Sequence, residues 1–221
     1  MTMKPPKKSD IKKQWRKNRR DNYRMVAPEY HLIVTEGVKT EPLNFEGLKR
    51  DINCNYRGRV SIEIKGVGQG ANTLSLLEYA QKLVAQSHEE YKHVWLVYDK
   101  DDFPKDDFDN TYFKCEALSN DAVTYHALWS NECIEYWFLL HYNPLNAALH
   151  RNQYYPMLTN YIGSPYTKNR KDIYDILKPN LKTAISTAKS IYSQYGGLPP
   201  SKCMPGTTVY QIFEKLESYL K

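Results

Sequence analysis

Four short apolar runs alternate with longer stretches of helical periodicity, and that alternation constrains the fold more than any other feature of the chain. The runs are YHLIVT (30–35), RVSIEIK (59–65), HVWLVY (93–98) and AVTYHALW (122–129). Between the first two, EPLNFEGLKRDI can place Leu43, Leu48 and Ile52 on one helical face. LSLLEYAQKLVAQSHEEY (74–91) and PKDDFDNTYFKCEALSN (104–120) carry helical patterns between the later runs, the second with a proline near its first turn. Strands separated regularly by helices form crossover units, which predicts an α/β fold: a mostly parallel four-stranded sheet flanked by helices on both faces. Ser130 or Asn131 is expected to cap a helix over ECIEYWFLLHY. From Pro144 onward the pattern is helical and tyrosine-rich, broken at YIGSPYT, LKPN and YGGLPPSKCMPG, with a closing helix at TTVYQIFEKLESYL. The expected organisation is a basic N-terminal arm (1–27), a core (28–143) and a helical C-terminal extension (144–221) packed on the core.

A chain of 221 residues with 41% hydrophobic content can bury one substantial core. It has no apolar run near the roughly 20 residues of a membrane span. Its basic start lacks the hydrophobic segment of a signal peptide, so the expectation is a soluble, cytoplasmic protein without membrane contact. Cys54, Cys115, Cys133 and Cys203 are widely spaced, with no CxxC pair and no histidines at zinc-ligand spacing, which predicts reduced thiols. The net charge of +6 is unevenly placed. Residues 1–24 hold ten basic and two acidic side chains, a local +8, against −2 for the remainder. Lys12, Lys13, Arg16, Arg19, Arg20 and Arg24 are therefore candidate nucleic-acid contacts, since neutralised phosphates release counterions. A solvated tail would have the same composition.

The third apolar run ends in YDKDDF, where Asp99, Asp101 and Asp102 crowd around Lys100. Like charges this close raise one another's pKa unless a cation or several donors hold them. In open parallel sheets ligands bind beyond the carboxyl ends of the strands, and Glu36 ends the first strand as Asp99 ends the third. If those strands are neighbours, and if the chain stays extended to Asp101, then Glu36, Asp99 and Asp101 can share a magnesium site. A calcium loop is excluded, because Phe103 and Pro104 stand where it needs an oxygen ligand and a glycine. The segment KGVGQGAN (65–72) lacks the lysine and serine of a phosphate-binding loop, leaving only contact with a substrate phosphate open. Tyr154, Tyr155, Tyr161 and Tyr166 lie among Arg151, Lys168, Arg170 and Lys171, a pattern suited either to unpaired bases or to helix packing.

TEGVKTEPLNFEGL after one strand, YDKDDF after another, and SNECIEYWFLLHY beyond them resemble the RloB family of bacterial defence-associated proteins, which includes components of abortive-infection systems. The resemblance spans roughly residues 16–180. It implies a Toprim-like domain with a glutamate after the first strand and an Asp-x-Asp pair after a later one. Those positions are Glu36, Asp99 and Asp101. It further implies a carboxylate at Glu135, with Lys168 as the candidate lysine, Mg2+ or Mn2+ as cofactor, and an ATPase encoded alongside. Glu132 departs from the family pattern and leaves open which of Glu132 and Glu135 is used.

The implied activity is metal-dependent phosphodiester cleavage of RNA or DNA in antiviral defence. Asp99 and Asp101 would be ligands, Glu36 a ligand or proton relay, Glu135 with Asp102 a second site, and Lys168 a counter-charge for the phosphate. The alternative is a non-catalytic nucleic-acid-binding or adaptor subunit of an ATPase-based defence system. A homo-oligomer is compatible with either. The simpler roles stay open too: Glu36 and Glu41 as turn and helix-start acids, Asp102, Asp106, Asp107 and Asp109 as solvated helix-start residues, Lys168 as a surface lysine, and Trp95 and Trp137 as core.

Overall fold

The computed structural model describes residues 28–55, 58–68, 72–101 and 105–220. The basic-arm candidates, Asp102 and part of the glycine-rich 65–72 segment lie outside the described residues.

Strands β1 (Glu29–Thr35), β2 (Val60–Gly66), β3 (Tyr91–Asp99) and β4 (Thr124–Asn131) are linked by helices α1 (Thr40–Asn55), α2 (Thr73–Gln86) and α3 (Lys105–Leu118). The sheet order is β2-β1-β3-β4-β5, parallel through β4. β5 (Gly206–Thr207) is antiparallel, pairing Thr207 with Ser130 and Gly206 with Asn131. The sheet therefore has five strands, not the four read from the sequence. A two-residue strand has too little alternation to declare itself, and it forms because β4 offers it a free edge.

Period-two alternation sends successive side chains of each strand into two separate cores. Leu32, Val34, Val94, Leu96 and Tyr98 pack with Leu76, Leu77 and Ala80 of α2 and Phe108 and Cys115 of α3. Ile33, Trp95, Val97 and Leu128 pack with Phe45, Leu48 and Ile52 of α1 and with the C-terminal helices. Those are α4 (Glu135–Leu139), α5 (Tyr154–Ile162), α6 (Ile173–Leu177), α7 (Leu181–Ser193) and α8 (Tyr210–Lys215). Full burial of each such side chain is worth about 1.5–3 kcal/mol, so both faces of the sheet are driven under cover. Trp95 and Trp137 are core residues, as their apolar settings predicted.

Three boundaries differ from expectation. α2 ends at Gln86, because Ser87 turns extended and its hydroxyl accepts from the Glu89 N–H, freeing Tyr91 to open β3 beside Tyr30. α4 is a short helix with no side-chain cap. Ser130 and Asn131 belong to β4 instead, where Ser130 Oγ lies 3.0 Å from Thr207 Oγ1 and Asn131 Nδ2 donates to Pro200 O. The last helix is likewise confined to α8, since Thr207 is used by β5 and Thr208 Oγ1 accepts from the Trp129 N–H at 3.0 Å. All four cysteines are free thiols. Among the described residues, no helix is long and apolar enough to cross a membrane.

Candidate active site

β1 and β3 lie side by side, so their carboxyl ends open at one rim. The turn after β1 is tied to that rim: the Glu36 N–H donates to Val97 O at 3.0 Å, and the Gly68 N–H donates to Glu36 O. The Glu36 carboxylate points along the rim and accepts from the Asp99 N–H at 3.4 Å. Beyond Asp99 the chain is pinned to β4 and the turn that follows it, with Lys100 N–H donating to Ser130 O and Asp101 N–H to Glu132 O. Asp101 itself adopts φ 35°, a left-handed conformation that aspartate tolerates better than most residues. The extended backbone expected there is replaced by this turn, yet Asp101 still faces the same cleft.

That cleft has a volume of about 750 Å³ and is lined by Glu36, Glu41, Asp99, Asp101 and Lys168, among others. Glu41, in the first turn of α1, is 8% exposed and faces back across the turn. Gly37 makes room for it, because a methyl group there would run into the Glu41 carboxylate. Reading Glu41 only as a helix-start acid missed this. The available signal was the pair of glutamates flanking the short GVKT turn.

The acids are poorly compensated. Asp99 Oδ1 is buried without a hydrogen-bond partner among the described residues. Burial, reinforced by Glu41, Asp101, Glu135 and Glu36, lifts the Asp99 pKa well above the carboxylate range. Burial also pushes Glu36 up to about 7, opposed by the Asp99 N–H and helped by Glu41 and Asp101. Glu41 rises to about 7 as well, chiefly from burial, with Glu135 adding to it. One acid is paired: Asp101 Oδ1 forms an ion pair with the Arg151 guanidinium.

Glu135 lies at 1% exposure behind the cleft and accepts from the Tyr166 hydroxyl at 3.0 Å. Tyr166 stacks on Tyr155, and the Lys168 ammonium sits 5.8 Å from the Tyr155 ring centre. Burial opposes the charged form of Lys168, but Glu135 and the Tyr155 hydroxyl outweigh it and raise its pKa. The loop carrying Lys168 is fixed to α1 by Thr40 Oγ1, which donates to Lys168 O at 3.0 Å. Glu132 is used elsewhere, its carboxylate accepting from the Arg151 N–H at 2.7 Å. The aromatic–basic stretch divides in the same way. Tyr154 is fully buried, Tyr161 is exposed and stacks on Tyr142, and Arg170 pairs with Asp172. Asp106 and Asp107 occupy the first turn of α3, whereas Asp109 accepts from the N–H and hydroxyl of Ser201.

No curated protein and no solved structure matches the chain. A family model described as RloB-like protein matches residues 31–216, starting later and reaching further than the motifs alone indicated. With that match covering most of the chain, including both acidic turns and the Lys168 loop, the protein belongs to the RloB-like family.

Proposed function

We propose that the chain is a Toprim-type, Mg2+-dependent phosphodiesterase that cleaves RNA or DNA. The observation that carries this reading is Asp99 Oδ1, enclosed and unpartnered amid Glu36, Glu41, Asp101 and Glu135. Leaving such a carboxyl unpaired, or protonating it, costs the fold free energy that a bound cation would recover. The donors are all carboxylate oxygens, which suit a hard divalent cation that retains several waters. Asp99 and Glu41 would hold the ion, with Asp101 shared between it and Arg151. Bound there, Mg2+ would supply Lewis-acid polarisation of a phosphate ester and lower the pKa of an attacking water. Glu36, whose pKa lies near 7, is suited to take a proton from that water. Lys168, which lines the same cleft, would balance charge on the phosphate, with Glu135 and Tyr155 favouring its charged form.

The Toprim assignment is supported by the parallel order β2-β1-β3-β4, with a glutamate following β1 and an Asp-x-Asp pair following β3. A part in antiviral defence and an ATPase partner belong to the same reading through the family resemblance. The test is incubation of the purified chain with total RNA, tRNA and plasmid DNA, with and without Mg2+ or Mn2+. Metal-dependent cleavage that disappears in Asp99→Asn supports the proposal. Equal cleavage by that variant, or none by the wild-type chain with any substrate or ion, refutes it.

A further inference from the structure

At the opposite end of the same strands lies a second polar cluster of different chemistry. Glu29 opens β1, His31 follows it on the same face, and the strand register sets His31 beside His93 and Trp95 beside His126. One donor atom each from Glu29, His31 and His93 lies within 4.8 Å of the other two, the tightest such grouping of metal-ligand side chains among the described residues. Glu29 Oε1 is 3.0 Å from His31 Nε2 and 3.4 Å from His93 Nε2. Each imidazole is backed by a further ring: the Trp95 indole N–H donates to His31 Nδ1 at 3.0 Å, and His93 Nδ1 lies 2.9 Å from His126 Nε2.

We propose that Glu29, His31 and His93 form a binding site for a divalent transition-metal ion of the zinc class, clasping β1 to β3 at the end of the sheet remote from the cleft. Two imidazoles and a carboxylate are the donor set such ions take, leaving a position for water on the exposed Glu29 side. His126 completes the arrangement by accepting from a His93 Nδ1–H while His93 Nε2 binds the ion. Two groups must yield. Lys215, 3.7 Å from Glu29 Oε1, is exposed enough to swing away. His31, whose Nδ1 accepts from Trp95, carries its proton on Nε2. Coordination moves that proton to Nδ1, leaving the proton count of the ring unchanged, but the Nδ1–H then faces the Trp95 N–H, so the indole must turn and lose its acceptor, a cost that the bond to the ion has to exceed. Without an ion, the same groups form a closed hydrogen-bond network, which is the competing structural explanation.

The experiment is calorimetric titration of the EDTA-stripped, full-length protein with Zn2+, with thermal melting in parallel. About one equivalent should bind and raise Tm in both the wild type and Asp99→Asn, which separates this site from the carboxylate cleft. Glu29→Gln and His93→Ala should each weaken that binding at least about tenfold. Lys215→Ala should leave it equal or tighter. Absence of stoichiometric binding to the folded wild type, affinity unchanged in both ligand variants, or loss of binding in Asp99→Asn would each overturn the proposal. Glu29 sits on the surface, so its variant keeps the test decisive if a histidine variant fails to fold.

Discussion

Both ends of the sheet gather ionisable side chains and treat them in opposite ways. At the amino end, three histidines, Glu29 and Lys215 satisfy one another, and burial drives His31 down to about 4 and His126 to about 3, so both rings are neutral. At the carboxyl end, Asp99, Glu36 and Glu41 are pushed upward together, although Arg151 pairs with Asp101 and Lys39 and Lys168 line the same cleft. The lesson is that burial alone does not mark a functional site. A buried polar cluster whose members pair with one another can stand without a ligand, whereas acids crowded together without enough partners carry an energetic cost that a bound cation would offset.

The comparison can be broken most sharply at Asp99. Asp99→Asn should cut metal-dependent cleavage by about 100-fold or more while raising the Tm of the metal-free protein, because the cost of protonating or burying that carboxyl is removed. A lowered Tm would mean that Asp99 is held by interactions the structure lacks. At the other end the sign reverses. His31→Ala should cost about 2–4 kcal/mol in urea unfolding, through a cavity and an orphaned Trp95 N–H, with cleavage by the folded fraction retained.

A smaller effect concerns pH. Folding lifts the Glu36 and Glu41 pKa values above their ordinary 4.5, so between about 4.5 and about 7 the native state binds more protons than the unfolded chain. Metal-free Tm should therefore fall as pH rises through that window, and Glu36→Gln should flatten the slope. Smallest of all, Arg151→Ala removes the cation that pairs with Asp101. Mg2+ should then bind up to about fivefold more tightly, as followed by its thermal shift, because a partly exposed ion pair is worth at most about 1 kcal/mol.

The strands and the rim acids were legible because apolar runs and the residues that end them are local signals. Glu36 and Asp99 could be paired from sequence once β1 and β3 were taken as neighbours. The histidine cluster could not. Zinc-ligand spacing along a chain says nothing about residues aligned across strands, and His31, His93 and His126 are separated by whole crossover units. Ser130 and Asn131 misled for a related reason: both types favour helix caps, but the distant Thr207 and Pro200 compete for their side chains and win. Glu41 was hidden by an ordinary explanation that was correct about its helix and silent about its neighbours.

The Thr40–Lys168 tether spans 128 positions of chain. The wall of the cleft that bears the lysine can therefore be hung on α1 only once the chain has been made as far as that loop. A chain ending before that loop would present the rim acids without the Lys168 ammonium beside them.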